Sequence, residues 1–227
     1  MFRIELSMEG DPDPRLLSRV LYCAVADGLR FNSHGFDGTY RIVPSNPSEE
    51  VVVTESGDID RTELLADAVD EYASFSPSST GLGIMTTYVD SNPALPCFLQ
   101  VSPRDNNHTI SIGTNIADIR GEKHLKEFLE LSKTVFQRFD FVYGASRYGE
   151  EELIPTSIDA AYDDHPRFVT FYSSEMIDDI GRETLLEAPA EVAVELVDGS
   201  VFLLASSELS ERRERLQNVR EYFDNLQ

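Results

Sequence analysis

The segment 167–204 constrains the fold more than any other part of the chain. Its sequence is RFVTFYSSEMIDDIGRETLLEAPAEVAVELVDGSVFLL. An apolar run of aromatic and β-branched residues is followed by two short segments with a helical pattern, the first of which ends at Gly181. The runs EVAVELV and SVFLL then flank Asp198-Gly199, a strong short-range hairpin signal. This order predicts a strand buried on both faces over 168–172, then two short helices, of which Ser173 or Ser174 caps the first, and finally a hairpin.

The rest of the chain alternates hairpins with amphipathic helices. Residues 28–38 predict a loop, and residues 149–163 predict a helix or an irregular segment interrupted by Pro155. Further strands are predicted over 2–8, 39–43, 49–55, 82–89, 96–101, 108–114 and 141–148, and longer helices after Pro14, from about Asp60, over 125–139 and over 210–226. Hairpins mixed with crossover helices are typical of the α+β class. We therefore expect a mainly antiparallel sheet with helices packed mainly on one face.

The chain is long enough for one large domain or two small ones. Its 227 residues show no sharp change in composition and no low-complexity linker. These observations favour a single α+β domain over 1–227. An organisation in two similar halves, with a break between residues 77 and 120, is the alternative.

The charge of the chain is strongly negative. It carries 41 acidic and 19 basic residues, a net charge of −22, and only three lysines. Such a surface stays hydrated, and the repulsion between its charges is tolerable where salt is concentrated, since the Debye length falls to about 3 Å near 1 M. Acidic residues spread along the whole chain indicate a salt-accumulating, haloarchaeal-type organism. An acidic face for a basic partner, or a nucleic-acid mimic, is the alternative, and both interpretations disfavour binding of DNA or RNA.

No part of the sequence indicates a membrane or a secretory signal. No apolar run approaches the roughly 18 residues that span a bilayer. The start, MFRIELSMEGD, lacks the basic beginning and the apolar middle of a signal peptide. We therefore expect a cytoplasmic protein that does not contact membranes.

The four histidines do not form a metal-binding pattern. His34, His108, His124 and His165 show none of the HxxxH, HExxH or HxH spacings. His34 and Asp37 lie in a glycine-rich loop, which could line a pocket or could be an ordinary exposed turn. The run Asp163-Asp164-His165 resembles a fragment of a metal site, but an acidic turn before a proline explains it equally well. We predict neither a metal nor a cofactor.

The motif YGASRYG, residues 143–149, is the best candidate for a contact site in the middle of the chain. Ser146 lacks the G-x-S-x-G pattern of a nucleophile elbow, so we predict no catalytic residue. The segment is expected to be a strand that leads into a turn, with Arg147 and Tyr148 exposed at its end. A small pocket or a partner contact is possible there, and an ordinary turn is the alternative.

The C-terminal third, from Tyr143 onward, resembles the immunity proteins of bacterial polymorphic and type VI toxin systems, in particular the immunity protein 52-like group. The segments that carry the resemblance are FVYG, RFVTFY, SSEMIDDIG, RETLLEAP and EVAVELVDGSVFLL. They match the group's order of a glycine-containing strand, an aromatic strand, two short helices and a hairpin, although no tryptophan occurs in the aromatic strand. The resemblance implies a protein that binds and neutralises a cognate toxin without a cofactor, and it implies no catalytic residue.

Three hypotheses about function follow from these observations. The first is a non-catalytic protein-binding module, possibly an immunity protein, with Arg147, Tyr148, Asp178 and Asp179 as partner-binding residues and a toxin encoded nearby as the partner. The second is an uncharacterised enzyme with a shallow pocket near His34, Arg147 and Tyr148. The third is a scaffold domain that forms homo-oligomers through the hairpin or an edge strand.

Overall fold

The computed structural model describes residues 1–10, 13, 15–26, 31–33, 39–44, 52–55, 67, 70, 82–88, 95–104, 107–148, 154–155, 157–162 and 164–226. The strands are β1 Phe2–Glu9, β2 Phe31–Ser33, β3 Thr39–Pro44, β4 Val52–Glu55, β5 Leu82–Tyr88, β6 Leu95–Arg104, β7 Asn107–Thr114, β8 Tyr143–Tyr148, β9 Val169–Tyr172, β10 Val192–Glu195 and β11 Val201–Leu204. The helices are α1 Leu16–Ala26, α2 Gly121–Arg138, α3 Ile158–Tyr162, α4 Ser174–Ile180, α5 Arg182–Leu186 and α6 Arg212–Asp224, and a 3₁₀ turn occupies Ile116–Asp118.

The strands form one sheet in the order β10-β11-β9-β8-β1-β7-β6-β5-β3-β4, and β2 also pairs with β5. All of the described pairings are antiparallel. The predicted α+β class with a mainly antiparallel sheet is therefore confirmed. The loop predicted over 28–38 is wrong in part, because Phe31–Ser33 forms a strand opposite Thr86–Tyr88.

Strand β1 lies in the centre of the sheet and separates its side chains cleanly onto two faces. Phe2, Ile4 and Leu6 are almost fully buried on the first face, and Glu5 lies on the second. Successive residues of a strand point to opposite faces, so the alternating sequence FRIELSM produces this division. Phe2 lies opposite Thr114 of β7 and Tyr148 of β8, which places the ends of these three strands side by side.

The first face of the sheet carries the larger core. The described helices of more than ten residues, α1, α2 and α6, all contribute buried residues to it, in agreement with helices packed mainly on one face. Phe136 of α2 stacks on Phe171 of β9 with ring centroids 4.8 Å apart, and Phe171 contacts Phe202 of β11 at 5.0 Å. Apolar burial of this kind is the main favourable contribution to folding.

The C-terminal strands are apolar on both faces. In β11, Phe202 and Leu204 belong to the first core, whereas Val201 and Leu203 belong to a second core. Residues of α3, α4 and α5 cover this second core, including Met176, Ile177 and Leu185. The two-sided burial predicted for residues 168–172 is confirmed, since each of them is buried.

The predicted turns of this region are also confirmed. The Ser173 side chain caps α4 by accepting a hydrogen bond from the Met176 N–H at 3.4 Å, and Gly181 ends the helix with φ 98°. The hairpin turns through three residues that end in Gly199, whose φ is 84°. A positive φ is a conformation that favours glycine. The helix predicted from about Asp60 lies almost wholly outside the described residues, of which Asp67 and Asp70 are helical.

Candidate functional sites

The predicted site residue Arg147 is part of an internal ion pair. Its Nη1 lies 3.1 Å from Oε1 of Glu5 on the neighbouring strand β1, and the Glu5 side chain is only 1% exposed. Arg3 lies 3.7 Å from the same oxygen. The expected exposure of Arg147 is therefore wrong, because its face of β8 lies beside a buried carboxylate. In the sequence, the two residues are 142 positions apart.

The predicted site residue Tyr148 lies on the opposite face of β8 and is half-buried. The guanidinium of Arg212, at the start of α6, lies 4.2 Å from the centroid of its ring. The expected exposure of Tyr148 is also wrong, because α6 packs over this end of the strand. Tyr148 nevertheless lines a cavity, so its contribution to a pocket agrees with the sequence-based expectation, whereas Arg147 does not line this cavity.

The cavity has a volume of about 140 Å³ and lies between the ends of β1 and β8 and the helix α6. One part of its wall is apolar and consists of Phe2, Ile116, Phe168, Leu209 and Leu216. The other part is polar and consists of Ser146, Tyr148 and the four arginines Arg167, Arg212, Arg213 and Arg220. We call it the arginine cavity.

The four arginines differ in their partners. Arg167 is 8% exposed and binds Asp164 through two contacts, Nε to Oδ2 at 3.1 Å and Nη2 to Oδ1 at 3.2 Å. Arg220 donates from Nε to the carbonyl oxygen of Pro166 at 3.0 Å. Among the described residues, no carboxylate forms an ion pair with Arg212, Arg213 or Arg220. Within the part of the chain that the structure describes, three guanidinium groups of the cavity therefore lack a counter-charge.

Ser146 places a further hydrogen-bond donor in the wall of the arginine cavity. The residue is 3% exposed, and its Oγ accepts a hydrogen bond from the Val169 N–H at 3.0 Å. Within the described ranges, no acceptor occurs for the proton of its hydroxyl. Buried donors normally have an acceptor, from the protein, from water or from a ligand.

The position of Arg212 and Arg213 is electrostatically unusual. Both lie in the first turn of α6, where the helix dipole favours anions and disfavours cations by about 0.3–1 kcal/mol each. Four of the sixteen arginines of a chain with a net charge of −22 line this one cavity. Guanidinium groups bind carboxylates and phosphates through paired N–H donors. The arrangement is therefore suited to holding an oxyanion.

The two acidic residues predicted to bind a partner lie elsewhere, on the exposed side of α4. Asp178 and Asp179 are both exposed, and neither lines the arginine cavity. Asp179 accepts a hydrogen bond from the Tyr162 hydroxyl at 2.6 Å. This bond to a carboxylate is the main reason why the pKa of Tyr162 is raised to about 12. Asp179 thus has an internal role.

The described histidines have internal partners. His108 is buried with Nε2 3.0 Å from Sδ of Met8, and burial lowers its pKa. Nδ1 of His124 accepts a hydrogen bond from the Arg120 N–H at 3.0 Å, and His165 lies 3.4 Å from Asp224. His34, Asp37 and Asp163 lie outside the described residues. The pocket expected near His34, Arg147 and Tyr148 therefore stays a prediction, and so does the enzyme hypothesis.

Asp164, of the Asp163-Asp164-His165 run, is held by side chains of the protein. Asp164 accepts hydrogen bonds from Arg167 and, at 3.0 Å, from the buried hydroxyl of Tyr143. The charge of Asp164 is one reason why the pKa of Tyr143 is raised, and burial is the largest. In the part of the chain that the structure describes, no three His, Cys, Asp or Glu residues are grouped as metal ligands.

The edge strand β10 is a second candidate site. It ends the sheet, and among the described residues it pairs only with β11. The Leu196 N–H donates to the Ser200 carbonyl at 2.8 Å, so hydrogen-bonded pairs occur at every second residue from there. By this alternation, the backbone groups of Ala193 and Glu195 point away from β11. Among the described residues, no backbone group pairs with these outward-pointing donors and acceptors.

Apolar side chains are exposed along this edge. Val194 is 39% exposed, and Val197 in the hairpin turn is fully exposed, at 100%. Beside β10, a groove of about 260 Å³ lies against α2. Its apolar base contains Leu125, Leu129, Val192, Phe202 and Leu204. Its charged lining contains Glu122, Glu130 and Glu191 and also Lys126 and Lys133. Lys126 and Lys133 are two of the three lysines in the chain. We call β10, the exposed Val194 and Val197, and the adjoining groove together the hairpin edge.

The arginines of α6 were not predicted to be site residues, although the sequence contains a signal for them. Residues 212–220, RRERLQNVR, contain four of the sixteen arginines in one predicted helix. Arg213 and Arg220 are seven positions apart, so both lie on one face of that helix. The ends of β1 and β8, which face these arginines, were not predictable in the same way, because the two strands are far apart in the sequence.

Comparison of the chain with protein-family models, with characterised proteins and with solved structures found no match. Among the described residues, no helix combines the length and the apolar character needed to cross a bilayer.

Proposed function

We propose that this protein is a non-catalytic protein-binding module of a salt-accumulating cell's cytoplasm, and that its partner adds an extended segment to the hairpin edge. The observation that carries the proposal is the outer edge of β10, which pairs with no further strand among the described residues and has the exposed Val194 and Val197 beside it. An extended segment that adds to a sheet edge gains affinity from backbone hydrogen bonds and specificity from alternate side chains.

Two properties of the hairpin edge support this proposal. Natural proteins usually protect a sheet edge with charges, prolines or a covering element, whereas Val194 presents an apolar side chain there. The adjoining groove has an apolar base, and its charged lining includes both lysines and glutamates. The groove is therefore suited to the apolar side chains of an added segment.

The finer proposal is that the partner is a toxin encoded nearby, which the chain neutralises by one-to-one binding. Its support is the order of two short helices and a hairpin in residues 173–204, the order on which the resemblance to immunity proteins rests. Neutralisation by surface contact needs no cofactor and no catalytic residue. It needs only a stable complex at molar salt, where apolar and backbone contacts persist while exposed ion pairs are screened.

The test is co-expression with the product of the adjacent gene, followed by co-purification in molar KCl and light scattering of the complex. Two variants address the edge. Ala193→Pro removes an outward N–H without removing a bond to β11, and Val194→Glu places a charge at the contact. Leu226→Glu is the matched control, because Leu226 is also an exposed apolar residue, at 54%, but lies in the last turn of the chain.

We expect a one-to-one complex that both edge variants abolish and the control preserves, together with rescue of growth when a toxic neighbour is co-expressed. A complex that survives both edge variants would place the contact elsewhere. If the chain alone forms a dimer that Ala193→Pro dissociates, the edge pairs between copies, and the scaffold hypothesis replaces the partner hypothesis.

A further inference from the structure

We propose that the arginine cavity binds a small organic anion, in which a carboxylate or phosphate group is attached to an apolar body about the size of a benzene ring. This inference does not depend on the hairpin edge or on any protein partner.

The charge of the cavity supports an anion. Seven of the described arginines form ion pairs with carboxylates, and Arg167 is one of them. The cavity residues Arg212, Arg213 and Arg220 form no such pair among the described residues. In a chain with 41 acidic residues, carboxylates are abundant, so three neighbouring arginines without one leave a local positive charge. A bound oxyanion would neutralise it.

Three donors of the cavity, on Arg212, Arg220 and Ser146, are held in position before any ligand binds. Arg212 is stacked on the ring of Tyr148, and Arg220 is fixed through Nε by the carbonyl of Pro166. The hydroxyl of Ser146, itself buried, is oriented by the Val169 N–H, which donates to its oxygen and leaves its proton for another acceptor. Donors that are already oriented lose little conformational entropy on binding, which increases affinity.

The apolar wall indicates that the ligand is larger than a simple ion. Phe2 and Phe168 are buried there with rings 6.2 Å apart, and Leu209, Leu216 and Ile116 complete the wall. The volume of about 140 Å³ is close to that of an engineered apolar protein cavity, about 150 Å³, that binds benzene. A ring can occupy the apolar part while its acidic group contacts the arginines.

Four probes separate the contributions of charge and apolar body. Benzoate and phenyl phosphate carry both, benzamide carries only the apolar body, and inorganic phosphate carries only the charge. Titration calorimetry in buffered KCl gives the Kd of each. We expect benzoate or phenyl phosphate to bind at least about tenfold more tightly than benzamide, since charge-assisted hydrogen bonds contribute about that factor. The stronger of the two identifies the acidic group.

The variants test the location. Arg212→Gln and Arg213→Gln should each weaken binding of the better probe by about tenfold. Arg215→Gln is the matched control, because Arg215 lies on the same helix but does not line the cavity and pairs with Glu211 at 3.3 Å. It should leave the Kd unchanged. Leu216→Trp fills the cavity without removing a charge and should abolish binding, while the unfolding midpoint of each variant reports on its folding.

Several results would overturn the proposal. Absence of binding by both organic anions would refute it, and equal binding of benzamide would refute the role of the arginines. An equal loss in Arg215→Gln would show a general effect of charge. If inorganic phosphate binds as tightly as phenyl phosphate, the apolar body is not part of the ligand. None of these results affects the complex expected at the hairpin edge.

Discussion

The two faces of strand β8 show how the same residue types can serve different purposes. On one face, Tyr143 and Arg147 direct their polar groups to the carboxylates of Asp164 and Glu5. On the other face, Tyr148 meets a guanidinium group that has no carboxylate among the described residues. The polar groups of Tyr143 and Arg147 therefore have carboxylate partners within the protein, whereas Arg212, beside Tyr148, has none among the described residues.

This difference indicates which charged groups hold the fold and which are available for binding. A buried ion pair contributes to the uniqueness of the structure, and removal of one partner leaves the other charge buried. A cluster of like charges at a cavity contributes nothing comparable to stability. The contrast therefore predicts large effects on unfolding for the buried ion pair of Arg147 with Glu5 and small ones for the arginine cavity.

Substitution of Arg147 should have the largest effect. Arg147→Ala removes the nearer cation from the buried Glu5, so the free energy of unfolding should fall by about 3 kcal/mol. Denaturant titration in molar KCl measures it. Arg215→Ala, which removes an exposed pair, should cost less than about 0.5 kcal/mol. Equal losses in the two variants would show that burial of Glu5 does not matter.

The second largest effect should come from the packing of the other face. A Cβ at Gly144 would lie 2.6 Å from Cδ2 of Leu6 and 3.2 Å from Cδ2 of Phe171. Gly144→Ala should therefore destabilise the protein by about 2 kcal/mol through overpacking. At Gly113, a Cβ would lie 3.4 Å from its nearest neighbour, Sδ of Met1. Gly113→Ala should change the unfolding free energy by less than about 0.5 kcal/mol, and a loss as large as that at Gly144 would refute the steric explanation.

Tyr143 should have a smaller effect that depends on pH. Burial raises its pKa well above the usual value of 10.0, so the folded state keeps a proton that the unfolded state releases at high pH. The stabilisation is complete below about pH 10 and is lost as the pH rises above it, by up to about 1.4 kcal/mol per pH unit. Tyr143→Phe should cost about 1 kcal/mol at pH 8, through the hydrogen bond to Asp164, and should make the alkaline decrease shallower.

The neighbouring Tyr172 is the control for this prediction. Burial also raises its pKa, but no hydrogen bond of its hydroxyl occurs in the described part of the chain. Tyr172→Phe should make the alkaline decrease shallower without the cost at pH 8. Unfolding curves at pH 8, 10 and 11 measure both variants, and an unchanged alkaline slope would contradict the role of the buried phenols.

Substitution of Asp179 should have the smallest effect. It tests the distinction between charged groups that have a partner within the protein and those that can bind a ligand. Asp179→Asn should lower the pKa of Tyr162 from about 12 toward 10, because the carboxylate that accepts its hydrogen bond is lost. Absorbance titration of the phenolate measures this change. Asp178→Asn is the matched control and should leave this pKa unaltered. If both substitutions act equally, the cause is the general charge of α4 and not the hydrogen bond.

Local features of the fold were predictable from the sequence. The hairpin followed from the Asp-Gly pair, the end of α4 from Gly181, and the core of β1 from its alternating pattern. Each of these depends on the conformational preferences of a few adjacent residues. The α+β class followed from the order of such local units.

The sites were predictable only in part, because they depend on pairing between distant strands. The motif YGASRYG identified the strand end that lines the arginine cavity, but the register with β1 decides that Arg147 meets Glu5 while Tyr148 meets α6. The sequence of residues 143–149 does not determine this register. The arginines of α6 could have been noticed by their density, but their position at the end of β8 could not.

The central position of β1 also affects how the protein is made. One of its bonds joins Ser7 to Tyr143, which is 136 positions later in the chain. At a synthesis rate of about 5–20 residues per second, β8 is synthesised on the order of ten seconds after β1. During that time Phe2, Ile4 and Leu6 are exposed on a strand with at least one open edge. The nascent chain should therefore depend on chaperones for this interval, and a circular permutant that begins after β7 would shorten it.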